Sequence, residues 1–321
     1  MKLIAAVAQT ATVLFDTAAT VERALALMAE AAARGAQLLV FPEAYLGGYP
    51  KGADFHIYVG GRTPAGRAEF KRYFDAAVGI DGPELAVLAE AAGRHRMYVC
   101  VGIIEREGGT LYCTAVYLGP QGTVLGKHRK LMPTALERLV WGFGDGSTLK
   151  TVATPFGPLG AVICWENYMP ALRMAMYQQR IALYCAPTAD DRDSWRSTMQ
   201  HIALEGRCFV LSACQHLRRS QFPAEQMNNK LPDAPDTVLM RGGSLIIDPL
   251  GKVLAGPIFD EDALLCAELD LAVIPTAQMD FDVVGHYARP DVFSLQVHTA
   301  PQRAVVFRPD APDAGASDEL A

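Results

Sequence analysis

The chain has 321 residues, half of them hydrophobic and a fifth charged, so a sizeable core and one large α/β domain are both within reach. Its net charge of −6 and pI of about 5.7 exclude broad nucleic-acid binding, because no long basic stripe is present to displace counterions. No apolar stretch approaches the length of a membrane span. Residues 2–8 superficially mimic a secretory leader, with Lys2 ahead of an apolar run and Ala6-Val7-Ala8 as a small-residue site. Gln9-Thr10 breaks that run early, and the segment reads as a buried first strand. Thr20 is placed to cap a helix whose apolar positions Val21, Ala24, Leu25, Met28 and Ala32 share one face until Gly35 stops it. The apolar strand that follows halts at Pro42 and delivers Glu43 immediately afterwards. Residues 46–65, rich in Gly, Tyr and Pro, read as a loop overhanging a crevice. A second helix begins near Pro83 with Leu85, Leu88, Ala89 and Ala92 on one side. Residues 97–105 and 111–118 then form a hairpin across Gly108-Gly109.

Strand-like residues 123–125 run into the basic cluster Gly126-Lys127-His128-Arg129-Lys130, with Glu137 seven residues beyond Lys130. Cys164 ends the apolar run 159–163 and opens the string Cys164-Trp165-Glu166-Asn167-Tyr168-Met169-Pro170. Strand ends in α/β proteins face a crevice where ligands gather, so a thiol there suits a nucleophile. The alternative is an ordinary buried cysteine, a common fate for that residue type. Acid, amine and thiol each fall near a strand terminus. Further on, the helix-like run 195–206 carries His201, read as a packing or outer hydrogen-bonding residue. A polar, Pro-bearing segment between Arg218 and Asp236 reads as a surface excursion.

The two halves echo each other. Residues 116–126 and 245–256 are both strand, Pro-x-Gly turn, strand, and the helix and strand before Glu43 resemble residues 171–179 and 181–186. Such a repeat suits two sheets packed face to face with helices outside. The seven cysteines are odd in number and lack a Cys-x-x-Cys pair, which favours reduced thiols and a cytoplasmic setting. Neither His-Glu-x-x-His nor paired Cys/His spacing occurs, so no metal is expected.

Phe41-Pro42-Glu43, His128-Arg129-Lys130-Leu131-Met132-Pro133-Thr134 and the string opening at Cys164 together resemble the nitrilase family, the nitrile-hydrolysing branch of the carbon-nitrogen hydrolase superfamily. His201-Ile202-Ala203-Leu204-Glu205-Gly206-Arg207 and Gly285-His286-Tyr287-Ala288-Arg289-Pro290-Asp291 extend the resemblance. It implies an α/β fold, the four-layer αββα sandwich with an internal pseudo-twofold repeat. One catalytic domain would span residues 1–299; beyond it, residues 300–321 are rich in Pro, Ala, Asp and Gly without apolar periodicity, and that composition reads as a largely disordered C-terminal tail. The resemblance also implies a small-molecule nitrile as substrate, no cofactor, and a homodimer or higher homo-oligomer.

A nitrile carbon is a weak electrophile and needs a strong, soft nucleophile together with a proton donor for nitrogen. An ordinary cysteine is only about 3% thiolate at neutral pH, so a base or cation must raise that fraction. By resemblance Cys164 adds to the nitrile to form a thioimidate, and water then releases ammonia and afterwards the acid. By the same resemblance Glu43 is general base and acid, Lys130 stabilises the developing anion with the Trp165 backbone N–H, and Glu137 positions. The resemblance further places Tyr49, Trp141 and Trp165 along the substrate pocket and Pro187 at its edge. An amidase would use the same set, and a non-catalytic binding module could keep the fold; Cys164-Trp165-Glu166-Asn167 favours the nitrile branch.

Overall fold

Two βαβ patterns, each followed by a hairpin, organise the chain into facing sheets. The computed structural model describes residues 1–222, 231–232 and 234–306. The first half runs through β1 (Lys2–Gln9), α1 (Thr17–Ala33), β2 (Leu38–Val40), α2 (Pro64–Ala76), α3 (Pro83–His95), β3 (Tyr98–Glu107), β4 (Thr110–Leu118) and β5 (Val124–Arg129). The second begins with β6 (Leu159–Ala161), α4 (Pro170–Gln178), β7 (Leu183–Thr188), α5 (Asp193–Gly206) and β8 (Phe209–Cys214). It continues through β9 (His216–Arg218), β10 (Val238–Ile247), β11 (Val253–Phe259), β12 (Ala263–Asp270) and α6 (Val273–Asp280).

One sheet has the order β12-β1-β2-β3-β4-β5 and the other β11-β10-β8-β7-β6, with β9 paired to β10. β1, β2 and β3 are parallel, as are β6, β7 and β8, and each set continues into an antiparallel hairpin. The path β1-β2-β3-β4-β5 therefore matches β6-β7-β8-β10-β11, which makes the repeat expected from sequence a structural one. Alternation in β2 shows how the layers arise: Leu38 and Val40 join the core between the sheets, while Leu39 joins the core under the helices. α1 and α3 cover the first sheet, and α4 and α5 cover the second, giving the four-layer αββα sandwich.

Several local expectations are corrected. α1 starts at Thr17, capped by Asp16, whose Oδ1 accepts the Ala19 N–H at 2.9 Å. Thr20 lies inside the first turn, and its buried hydroxyl donates back to the Asp16 carbonyl, so it does not cap. The polar sequence of α2 hides its periodicity; only Thr63-Pro64, with Thr63 Oγ1 accepting the Gly66 N–H, marks its start. His201 stands exposed on the outer surface of α5, 3.5 Å from Glu205, so it does not pack, because position 201 falls on the helix's solvent face. Residues 301–306 carry no helix or strand. The remainder of the expected tail, 307–321, and residues 223–230 and 233 of the expected surface excursion lie outside the described residues. Among the described residues no helix is long and apolar enough to cross a membrane.

One close approach sets the position of Glu43. A Cβ at Gly102 of β3 would stand 2.1 Å from the Pro42 carbonyl oxygen and 2.8 Å from the Glu43 Cα. Gly102→Ala is therefore expected to lower stability by about 1–3 kcal/mol and, by moving Glu43, to cut kcat at least about tenfold. An unchanged urea midpoint together with unchanged kcat would count against this.

Candidate active site

Four strand ends converge at one edge of the sandwich. Glu43 follows β2, Lys130 follows β5, Cys164 follows β6, and Thr188 closes β7. Lys130 leaves β5 with its N–H still bonded to the Cys113 carbonyl, which turns the side chain into the gap between the sheets. There its buried Nζ donates to Glu43 Oε1 at 2.6 Å and to Glu137 Oε2 at 2.7 Å. Glu137 is held by a 3-10 turn that Thr134 opens: the Thr134 N–H donates to Oε2 at 2.6 Å, and Tyr49 donates its hydroxyl to Oε1 at 2.8 Å. The buried face of Trp141 lies 5.5 Å from the ammonium, while its indole N–H is taken up by the Tyr73 hydroxyl.

Cys164 begins a second 3-10 turn with φ of 50°, in the left-handed region that a non-glycine residue adopts only when its surroundings enforce it. The enforcement is visible. Asn167 donates to the Val162 and Cys164 carbonyls at 2.9 and 2.8 Å, and the Tyr184 hydroxyl holds its other end. The sulfur is nearly buried, with the Thr188 hydroxyl 3.3 Å away and the Ala189 N–H directed at it.

Electrostatics follow from burying these groups together. Burial raises the proton affinity of Glu43; the Lys130 charge opposes that rise and the Glu137 charge adds to it, leaving the carboxyl above its ordinary value of 4.5. Burial alone would strip Lys130 of its proton, but Glu43 and the other surrounding acidic groups outweigh it and keep the ammonium charged. Burial, then the Glu43 carboxylate, pushes the Cys164 thiol well above its ordinary range. Glu43 Oε2 is buried without a hydrogen-bond partner among the described residues. A buried acceptor left open in this way is costly.

A cavity of about 210 Å³ opens onto Cys164 and is lined by Tyr49, Glu137 and Trp165 among others. Trp141 and Pro187 are buried and do not line it: Trp141 backs Lys130, and Pro187 lies within the paired strand β7. The lining also includes Ala189, Asp190, Asp191 and Arg192, which sequence reading missed. Asp190 accepts the Trp165 indole N–H at 2.9 Å and pairs with Arg192, fixing the indole at the mouth. Their signal was weak, being only a charged run between a strand and a helix.

A buried thiol stands beside an ammonium wedged between two carboxylates on a doubled βαβ sandwich, and the carbon-nitrogen hydrolase profile matches residues 4–278. The chain belongs to this family, in its nitrilase branch. It is 62% identical to an aliphatic nitrilase of Sinorhizobium fredii, over 96% of this chain and 99% of the relative. It is 53% identical to a bifunctional nitrilase/nitrile hydratase of Lupinus angustifolius, over 94% and 88% of the two chains. The NitFhit protein of C. elegans shares the fold with a TM-score of 0.71 at 19% identity, covering 94% of this chain and 69% of that one.

Proposed function

We propose that this nitrilase hydrolyses an organic nitrile to its carboxylic acid and ammonia with Cys164 as nucleophile, Glu43 as general base and acid, Lys130 as anion stabiliser and Glu137 as positioning carboxylate. The observation that carries the reading is the buried ammonium, 2.6 and 2.7 Å from two carboxylates, beside the buried Cys164 thiol. Glu43 takes the thiol proton as sulfur adds to the nitrile carbon, and returns it to nitrogen to give the thioimidate. Water, deprotonated by Glu43, adds next; ammonia leaves and a thioester remains. A second water releases the acid and restores the thiol. Lys130 and the Trp165 N–H stabilise the negative charge that develops at each addition, a donor of this kind contributing on the order of 3 kcal/mol.

The small cavity favours a compact nitrile, with Tyr49 and Trp165 as its aromatic walls. An amide would meet the same groups, so ammonia release is to be measured with a panel of nitriles and the matching amides. Turnover of nitriles is expected; turnover of amides alone would overturn the reading. The same proposal includes one catalytic domain over residues 1–299, a homo-oligomer, and a cytoplasmic setting, the last supported by seven free cysteines. Light scattering that reads a monomer would reject the oligomer.

The pH profile tests the base. Because Glu43 is raised above 4.5 and works deprotonated, kcat/KM is expected to fall as pH drops through an apparent pKa above 4.5. The sign for stability is opposite. The folded state holds this proton more tightly than the unfolded chain does, so Glu43's contribution is complete below 4.5 and is lost as pH rises through the raised value. An acid limb centred at or below 4.5 would point to a different base.

A further inference from the structure

Glu166 lies two residues beyond Cys164, is 1% exposed, and does not line the cavity. Its Oε1 accepts the Leu131 N–H at 2.6 Å. Its Oε2 accepts the Ile163 N–H at 2.9 Å and meets His128 Nε2 at 3.1 Å. Leu131 directly follows Lys130, and Ile163 directly precedes Cys164. The first of these segments leaves β5 in one sheet, and the second leaves β6 in the other. We propose that Glu166 is a positioning residue, a carboxylate clamp that ties the backbone beside the ammonium to the backbone beside the nucleophile and so sets their spacing.

The chemistry of the group fits the task. An ionised carboxylate only accepts, and its two oxygens can serve several donors at once. Here three donors converge on it, which offsets the cost of burying the charge. Since a carboxylate accepts, the imidazole must donate from Nε2; its Nδ1 has no partner among the described residues. The His128 ring therefore completes the coordination of Glu166 without reaching either reacting group. Cys164 in its left-handed conformation needs bracing on both sides: Asn167 supplies it beyond the thiol, and Glu166 supplies it before the thiol. Misplacement by about 1 Å in such a site is worth about a hundredfold in rate.

The inference rests on the roles proposed above for Cys164 and Lys130, and its test uses whichever nitrile or amide the parent protein hydrolyses, so a wrong substrate reading leaves it intact. In Glu166→Gln one oxygen becomes an amide NH2 facing a backbone N–H, which breaks one arm of the clamp. The rate is to be expressed per Cys164 that substrate protects from labelled iodoacetamide, read on its own peptide by mass spectrometry, so that neither the six other free cysteines nor misfolded protein, which binds no substrate, counts. The expected result is a kcat per thiol about 100-fold lower with KM within about threefold of the parent's. A kcat per thiol within about threefold of the parent, with only the titratable fraction reduced, would mean a merely structural role and overturn the proposal. His128→Gln keeps an N–H donor for Glu166 and leaves both backbone bonds in place; its kcat is expected to stay within about threefold. A loss in His128→Gln as large as that expected for Glu166→Gln would assign the effect to the His–Glu pair and reject the clamp. If Glu166→Gln does not fold, His128→Gln decides on the same threshold.

Discussion

Cys164→Ala is expected to lower kcat by a factor of at least about 10⁴ while leaving the fold in place. No other sulfur can substitute. Among the described residues Cys113 is the only other thiol hydrogen-bonded at the site, and it is buried 3.5 Å from Glu43 Oε1, with burial first and then Glu43 holding its proton tightly. The stability change should be small, because the deletion removes one atom beside a hydroxyl and a backbone N–H and leaves the Asn167 brace untouched. Two measurements check the expectation. Ammonia release should vanish, and mass spectrometry of substrate-treated protein should find a covalent adduct on the parent and none on the variant. Residual turnover within about tenfold of the parent would remove Cys164 from the chemistry.

Lys130→Met should combine a catalytic loss with a structural one. The catalytic part is on the order of 10³ in kcat, the value of one well-placed charged donor. The structural part arises because methionine fills the space but leaves Glu43 and Glu137 buried without their shared cation. Breaking a buried pair by removing one partner costs about 3–5 kcal/mol. The pH dependence separates this from a packing defect. Lys130 is what opposes the rise in Glu43's proton affinity, so removing it raises that affinity further. A carboxyl raised in the folded state stabilises below its unfolded value and loses that contribution as pH rises through the raised value. The urea midpoint of Lys130→Met should therefore drop most at mildly alkaline pH and recover in mild acid. A deficit independent of pH would mean that the two carboxylates are not coupled through this lysine.

Much of the site was legible because its members sit at strand ends, where the sequence itself punctuates. Val40-Phe41-Pro42-Glu43 announces a buried strand, a stop and a carboxylate; Ile163-Cys164-Trp165 does the same for the thiol. The Pro-x-Gly turns before residues 126 and 256 disclosed the repeat, since turn chemistry is local. What was not legible depended on neighbours distant in sequence. Trp141 and Pro187 were expected at the pocket and lie behind it, because aromatic and proline positions say nothing about which side of a wall they occupy. Asp190, Asp191 and Arg192 look like solvated charges until Trp165 is seen donating to Asp190. Glu166 could not be singled out from its string, because its partners Leu131 and His128 are more than thirty positions away. Thr20 was misjudged for a simpler reason: capping side chains compete locally, and only the folded turn shows that Asp16 won.

By itself the amino-acid order determined the class of layers, the repeat, and the identity of the acid, amine and thiol, because periodicity and turn residues act over a few positions. Only the tertiary structure decided that Trp141 would stand outside the cavity lining, that Asp190 would take up the Trp165 indole N–H, and that Glu166 would join the segments beside Lys130 and Cys164. Those outcomes depend on distance and on exclusion of water, and both come into being only when the two sheets close on each other.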